Sequence, residues 1–558
     1  MRRTTPWLRI AVVLITGCAV LLPLVIVFYQ SLLDAPFFQP SAKLSLAAFQ
    51  FVLTDGDFHR AFLTTAIVAV GMTILAVPLG SALAFLLVRT DLPGRKWLEP
   101  VVLIPIFLSP VVLAFGYVVA AGPVGFFTLW TKQALGGVPW NIYSLGSLTV
   151  IAGLTHIPYV FLYTSSALRA LGADLEEAAS VAGAGAARIA FTISLPMVRP
   201  AILYSAVLVF FLGFEIFGLA LVLGDPGGLL VLSTYLYKLT NRLGVPSYQL
   251  MAVVAVVIIA IAFPLIYLQR RLMGVSRHFV TVSGKGLSQR PLRLGRWRWF
   301  AFAGVLFWLG ATVLLPLSGV FMRAFVSAWG EGVRLLDVLT LDNFRELADY
   351  PNLVRGVMNT LGLAIIGGAL AVAWYAAIGL ATHRWQSLWA KVMDYLVMIP
   401  RGMPGLIAGL AFLWVFLFIK PLAPLRSTLF SIWLAYSVVW LAYGMRLISS
   451  ALLQVSPELE EAAAVAGASG GQVTRDVTLP LIRFGLVGSW LLVFMIFVRE
   501  YSTGVYLLGP GTEMIGSLIV SLWATGAIDI VAALSVVNVL LVAVGLGAAL
   551  RLGVRLHG

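Results

Sequence analysis

The sequence predicts an all-α polytopic membrane protein of about twelve transmembrane helices in two homologous six-helix halves. Three observations predict it: apolar composition, recurring runs long enough to span a bilayer, and an internal duplication. Of 558 residues, 61% are hydrophobic and 11% charged, against about 25% charged in ordinary soluble domains. Mean hydropathy is +1.00. This excludes a soluble globular fold.

Crossing the hydrocarbon core takes about 20 apolar residues. Such runs fall at 9–33, 62–88, 98–121, 145–168, 197–223 and 249–270, and again at 297–325, 354–381, 393–419, 428–450, 482–508 and 530–552. Arg2, Arg3 and Arg9 precede the first run, and Arg89, Arg95 and Lys96 follow the second. The positive-inside rule therefore predicts both flanks to be cytoplasmic. An even number of spans returns the C-terminus, with Arg551 and Arg555, to the same side. The loop after the seventh run, with Glu331, Asp337, Asp342, Glu346 and Asp349, then lies outside.

The formal charge of +14 is accounted for by these membrane-flanking residues, so membrane lipid and not nucleic acid is the expected neighbour. Cys18 is the single cysteine, which rules out an internal disulfide and a cysteine-based metal cluster. Ile15-Thr16-Gly17-Cys18 has the look of a lipoprotein cleavage box, but the apolar run continues through Val27. The N-terminus is therefore expected to be an uncleaved first span.

The halves are expected at 1–272 and 297–558, joined by a basic cytoplasmic linker at 273–296. Arg270 to Arg298 includes Arg277, Lys285, Arg290, Arg293 and Arg296 and no acidic residue. Ser283-Gly284-Lys285-Gly286 has part of a phosphate-binding loop, but Phe279 stands where Gly is needed and no Ser or Thr follows the lysine. The chain is not expected to bind ATP itself.

Leu175-Glu176-Glu177-Ala178-Ala179-Ser180-Val181-Ala182-Gly183-Ala184 recurs as Leu459-Glu460-Glu461-Ala462-Ala463-Ala464-Val465-Ala466-Gly467-Ala468, and both copies reach a Leu-Pro pair, Leu195-Pro196 and Leu479-Pro480, at equal distance. Each lies between the fourth and fifth runs of its half, in loops at 172–196 and 456–480. A short surface helix is predicted. Leu175, Ala178, Ala179 and Ala182 share a side, the glutamates occupy the first turn where the helix dipole favours them, and Gly183 stops the helix. Proline suits the first turn of the following span. A polar amphipathic loop lying on the membrane surface would share this chemistry, but not its repetition at equivalent places.

The pattern Glu-Ala-Ala, three residues, Gly, nine residues, Ile, one residue, Leu-Pro resembles the EAA loop of permease subunits of type I ABC importers. The first copy fits from Glu177-Ala178-Ala179 and Gly183 to Ile193 and Leu195-Pro196, and the second departs only at Val477. The resemblance covers nearly the whole chain and is to the fused subclass, in which one polypeptide supplies both permease units. It implies the type I ABC importer permease fold in a bacterial inner membrane. Each loop would form a coupling helix docked on a cytoplasmic ABC ATPase through Glu176, Glu177, Ala178, Ala179, Gly183, Leu195 and Pro196, and through Glu460, Glu461, Ala462, Ala463, Gly467, Leu479 and Pro480. It further implies two ATPase copies holding ATP and Mg, a periplasmic or lipid-anchored substrate-binding protein, no cofactor on this chain, and a transport subunit instead of an enzyme. The linker, Thr281-Val282-Ser283-Gly284-Lys285-Gly286 followed by Arg293-Leu294-Gly295-Arg296-Trp297-Arg298, is similar to that of iron(III) importer permeases. Iron(III) is thus the expected cargo, with thiamine, aminoethylphosphonate or another small solute as alternatives.

Charged groups inside spans cost about 2.5–3.5 kcal/mol at the bilayer centre and usually face a partner or a cavity. Glu215 and Glu500 occupy near-equivalent places in the fifth span of each half, offset by 285 against 284 for the loops (461 minus 177). They are expected to line the translocation route or its gate, with Arg499 pairing Glu500; a structural interhelical pair is the equal alternative. His156 and Tyr159 read as packing residues. Pro105 and Pro400 interrupt matched spans, where freed backbone can line a cavity or simply kink a helix.

A twelve-span ion-coupled secondary transporter also suits the helix count and symmetry, but it predicts buried proton or sodium relays and no twin docking loops. A membrane scaffold or receptor would need an output module, and none is encoded.

Overall fold

The computed structural model describes residues 6–172, 174–241, 246–276 and 291–551. Residues 277–290 of the linker, with Lys285 and Arg290, lie outside the described residues, as do Arg2, Arg3 and Arg555. Helices make up the described regular structure, with isolated β-bridges at three places. Among the described residues nine helices are long and apolar enough to cross a membrane, and four further bent pairs raise the number to at most thirteen.

The differences from twelve continuous runs follow from backbone chemistry that hydropathy does not see. The run expected at 197–223 stops as a helix at Glu215, and residues 220–240 instead form a separate pair, Ala220–Gly227 and Leu232–Thr240, bent by 80°. The run at 482–508 likewise ends at Arg499, and the chain continues irregularly to a short helix, Ile515–Thr525. Gly509-Pro510-Gly511 lies in that irregular stretch, where helix is disfavoured. Pro100, Pro105 and Pro110 divide the third run into Arg95–Val102, Ile104–Phe107 and Pro110–Ala121. Pro400 and Pro404 bend Leu388–Gly402 against Gly405–Phe418 by 110°.

Each half is centred on a close helix pair. Gly56–Arg89 lies along Leu145–Ala170, where a Cβ on Gly80 would come within 2.6 Å of Val160 Cβ. In the second half Gly444 admits the Tyr375 ring, whose hydroxyl donates to Ser437 O at 2.6 Å. Without a hydrophobic gain between helices in lipid, such close small-residue contacts supply the packing.

The first helix of each half packs on the other half. Pro6–Ser31 lies against Gly405–Phe418 and Leu388–Met398, and the span Trp297–Ala324 lies against Pro110–Ala121. At this second crossing a Cβ on Gly116 would sit 2.3 Å from Pro316 O, so only glycine fits. Trp308 Nε1 donates to Leu154 O at 3.1 Å and Tyr117 Oη to Ala311 O at 2.8 Å across the same seam. The two sequence halves are thereby interlocked around one interior.

Candidate functional site: twin surface helices and a central cavity

The repeated segments form short helices, Asp174–Val181 and Pro457–Val465. Gly183 and Gly467 end them at φ +85° and +93°. Ala184 N donates to Ala179 O at 2.9 Å, and Ala468 N to Ala463 O at 3.0 Å, closing the carbonyls a helix end leaves open. A Cβ on either glycine would meet nothing within 4 Å, so the residue is required for its backbone angle and not for space.

The two glutamates of each copy face opposite ways. Glu177 and Glu461 are exposed, as are Ala178 and Ala462, while Ala179 and Ala463 are half-buried. Glu176 and Glu460 are buried. Glu176 Oε1 accepts from Ser194 Oγ at 2.6 Å and lies 3.4 Å from Arg89 Nε. Arg89 also donates to the carbonyls of Leu168 and Leu171 at 2.6 and 3.0 Å. Glu460 accepts from Thr478 Oγ1 at 2.9 Å and pairs with Arg384 Nε at 2.7 Å and His383 Nε2 at 3.1 Å. The first glutamate of each copy therefore anchors the helix inward instead of belonging to its outer face. Reading the sequence alone missed Ser194, Thr478, His383 and Arg384 and took Arg89 only as a topology charge.

Leu195-Pro196 and Leu479-Pro480 follow a five-residue π-turn, Ala190–Ser194 and Thr474–Thr478. Proline has no N–H to offer the carbonyl four residues earlier, and the wider turn presents Ser194 or Thr478 to the buried glutamate. Val181 and Val465, at 90% and 89% exposure, leave matching apolar tips uncovered.

A cavity of about 280 Å³ lies between the halves, lined by Glu215, Arg499 and Glu500 together with Arg401, Arg446 and Tyr443. His156 and Tyr159, expected as packing residues, line it as well, with their rings stacked at 5.6 Å. The broken helices build its wall: Pro400 and Pro404 flank Arg401, and Glu215 and Arg499 are the last residues of their helices.

The expected pairing of Arg499 with Glu500 is corrected. Among the described residues no ion pair joins them. Glu500 leaves the helix at ψ 134° and folds onto its own loop. Its Oε1 accepts from the N–H groups of Ser502 and Thr503, both at 3.0 Å, and from their hydroxyls at 2.9 and 3.1 Å; Oε2 accepts from Trp440 Nε1 at 2.9 Å. Backbone donors freed at the helix end outcompete a neighbour whose side chain leaves in another direction. Arg499 lies over the Trp440 ring at 5.6 Å and donates to Ile106 O of the first half. Glu215 accepts from Gly405 N at 3.2 Å, where Gly405–Phe418 begins. Each glutamate thus meets backbone of a broken segment. Among the described residues no three His, Cys, Asp or Glu side chains come together as a metal site.

The profile of the binding-protein-dependent transport system inner membrane component family matches twice, at 76–273 and 375–556. The chain is 23% identical over 518 residues to the ferric transport system permease protein of Actinobacillus pleuropneumoniae, covering 90% of this chain and 72% of that one. An Fe(3+)-transport system permease protein of Haemophilus influenzae is 23% identical over 91% of this chain and 90% of its own length. The molybdenum transport system permease protein of Escherichia coli is 28% identical over 40% of this chain and 97% of its own. With its apolar helices, duplicated surface helices and a profile match in each half, the chain belongs to the binding-protein-dependent transport system inner membrane component family and is a multi-pass permease subunit of an ATP-driven importer.

Proposed function

We propose that the chain supplies both permease units of an iron(III) importer that works by alternating access. Its termini lie in the cytoplasm, two copies of a cytoplasmic ABC ATPase bind ATP and Mg, and a periplasmic or lipid-anchored binding protein delivers cargo. The observation that carries the coupling role is the pair of surface helices, each anchored inward by Glu176 or Glu460 and exposing Glu177 or Glu461 with small alanines and a bare valine tip. Small residues let a partner surface approach closely, and an uncovered apolar tip favours being covered. Iron as cargo is supported by ferric relatives that align along about nine-tenths of the chain.

Co-purification followed by native mass spectrometry tests the assembly. Two ATPase copies per chain are expected, with hydrolysis stimulated by iron-loaded binding protein. Recovery of one ATPase, or undiminished docking after Glu177→Arg and Glu461→Arg together, refutes the coupling role. For the cavity, Glu215→Gln and Glu500→Gln are expected to slow 55Fe uptake at unchanged expression; full uptake by both variants rejects a pathway role for the glutamates.

A further inference from the structure

The cavity's charges are unequal in number and in how they are satisfied. Two carboxylates face three guanidiniums. Glu500 takes five hydrogen bonds from Ser502, Thr503 and Trp440, and Glu215 takes the N–H that opens Gly405–Phe418, where the positive end of the helix dipole lies. Among the described residues, Arg401, Arg446 and Arg499 enter no ion pair. Each instead rests over an aromatic face: Arg401 over Tyr443 at 5.6 Å, Arg446 over Tyr163 at 5.5 Å and Arg499 over Trp440 at 5.6 Å. A ring face holds a cation while leaving the guanidinium edge open.

Arg401 is the least satisfied of the three. Its Nη1 donates to Tyr204 Oη at 3.2 Å, but its Nε and Nη2 are buried and have no hydrogen-bond partner. These two atoms form the side-on fork that matches a carboxylate or oxyanion edge. The same protein uses that fork elsewhere, where Arg355 Nε and Nη2 hold the Glu513 carboxylate at 2.8 and 2.7 Å. Buried donors left idle call for an acceptor, and none of the described residues supplies one at Arg401.

We propose that this cavity is a transit site for an anionic solute bearing a carboxylate or oxyanion, gripped side-on by Arg401, with Arg446 and Arg499 adding positive charge along the walls. A bare trivalent cation would meet a net positive wall. Resting on the importer reading above, the inference deepens it: iron crosses with its anion, as a neutral or negative complex. A cationic solute such as thiamine is disfavoured by the same wall.

Binding of 32P-phosphate and 14C-citrate to the full chain in lipid nanodiscs tests the site. Saturable binding of at least one probe is expected. Arg401→Gln should weaken it at least tenfold, Arg401→Lys should recover part of it because a point charge lacks the fork, and Arg355→Gln should leave it unchanged. Absence of saturable binding to monodisperse wild-type protein overturns the proposal, as does binding indifferent to both Arg401 variants. In liposomes holding the complete importer, 55Fe uptake should carry labelled anion with it. Iron entering without labelled anion refutes joint passage. No iron uptake, with anion binding intact and Arg401-dependent, leaves the site standing and sinks iron as the cargo.

Discussion

Replacing Glu176 by glutamine should loosen the first surface helix far more than the same change at Glu460 loosens the second. Side-chain exposure is 7% for Glu176 and 2% for Arg89. Removing one partner of such a buried pair costs about 3–5 kcal/mol when the remaining charge is stranded. Arg89 is not fully stranded, because it keeps the carbonyls of Leu168 and Leu171, and glutamine can still accept from Ser194. The separation of 3.4 Å is also long for a charge-assisted bond. These reductions bring the expected loss to about 2 kcal/mol, or about 30-fold faster opening. At Glu460 the partner Arg384 is 38% exposed, so water replaces much of what is lost, leaving about 1 kcal/mol and about fivefold. Hydrogen exchange of peptides spanning 174–184 and 457–468, read by mass spectrometry in the wild type and both variants, measures this directly. Equal acceleration at the two helices, or none at the first, would refute the anchoring argument. Uptake per ATP hydrolysed should fall in the same order.

Three further outcomes follow from local geometry. Gly116→Val places a side chain against the Pro316 carbonyl, 2.3 Å from the new Cβ, and should cost at least the about 1–3 kcal/mol typical of overpacking; a thermal melt unchanged from wild type contradicts the crossing. Gly183→Ala meets no atom within 4 Å but holds φ +85°, so about 1–2 kcal/mol of strain should appear as faster exchange at the helix end with the global melt unmoved. Glu513 is held down to about 2 by the Arg355 guanidinium that bonds both its oxygens. A carboxyl depressed when folded stabilises above its unfolded value and ceases to as pH falls toward the folded one. The melting temperature should therefore drop between about pH 4.5 and 2 by more in the wild type than in Arg355→Gln, and identical slopes would dismiss the pair.

Membrane character and the paired surface helices were legible because both are written in local composition: long apolar runs, and ten residues repeated at a fixed offset. The opposite roles of Glu176 and Glu177 were not. Both sit in the first turn, and which one turns inward depends on the helix's phase against Arg89, at the end of a span much earlier in the chain. Residues 197–223 read as one span because apolar composition persists through Ile216 and Phe217, where the backbone leaves the helix. Arg499 beside Glu500 invited a pairing that freed N–H groups at the helix end took instead. Arg401 was the clearest unread signal: a charge in an apolar run, flanked by Pro400 and Pro404, lies where the backbone opens toward a cavity.

The fusion of the halves adds an asymmetry that the duplication alone would not produce. Leu292, at the described end of the linker, donates its N–H to Arg89 O at 2.8 Å and accepts from Asp91 N at 3.1 Å, and Leu294 N bonds the Asp91 carboxylate at 2.8 Å. The residue that anchors Glu176 is thus itself braced by the linker, whereas Arg384 and His383 sit at an end of Gly368–Thr382 with no matching bridge among the described residues. Leu292→Pro removes the donor, fixes φ and gives up the leucine's packing against the core, at a cost of at least the about 0.5–1.5 kcal/mol of one hydrogen bond. Exchange at 174–184 should rise about fivefold, with 457–468 unchanged. A rise at both helices would mean that the linker stabilises the whole chain and not one lever. No rise at either would separate the brace from the lever, and the halves would then move alike despite their fusion.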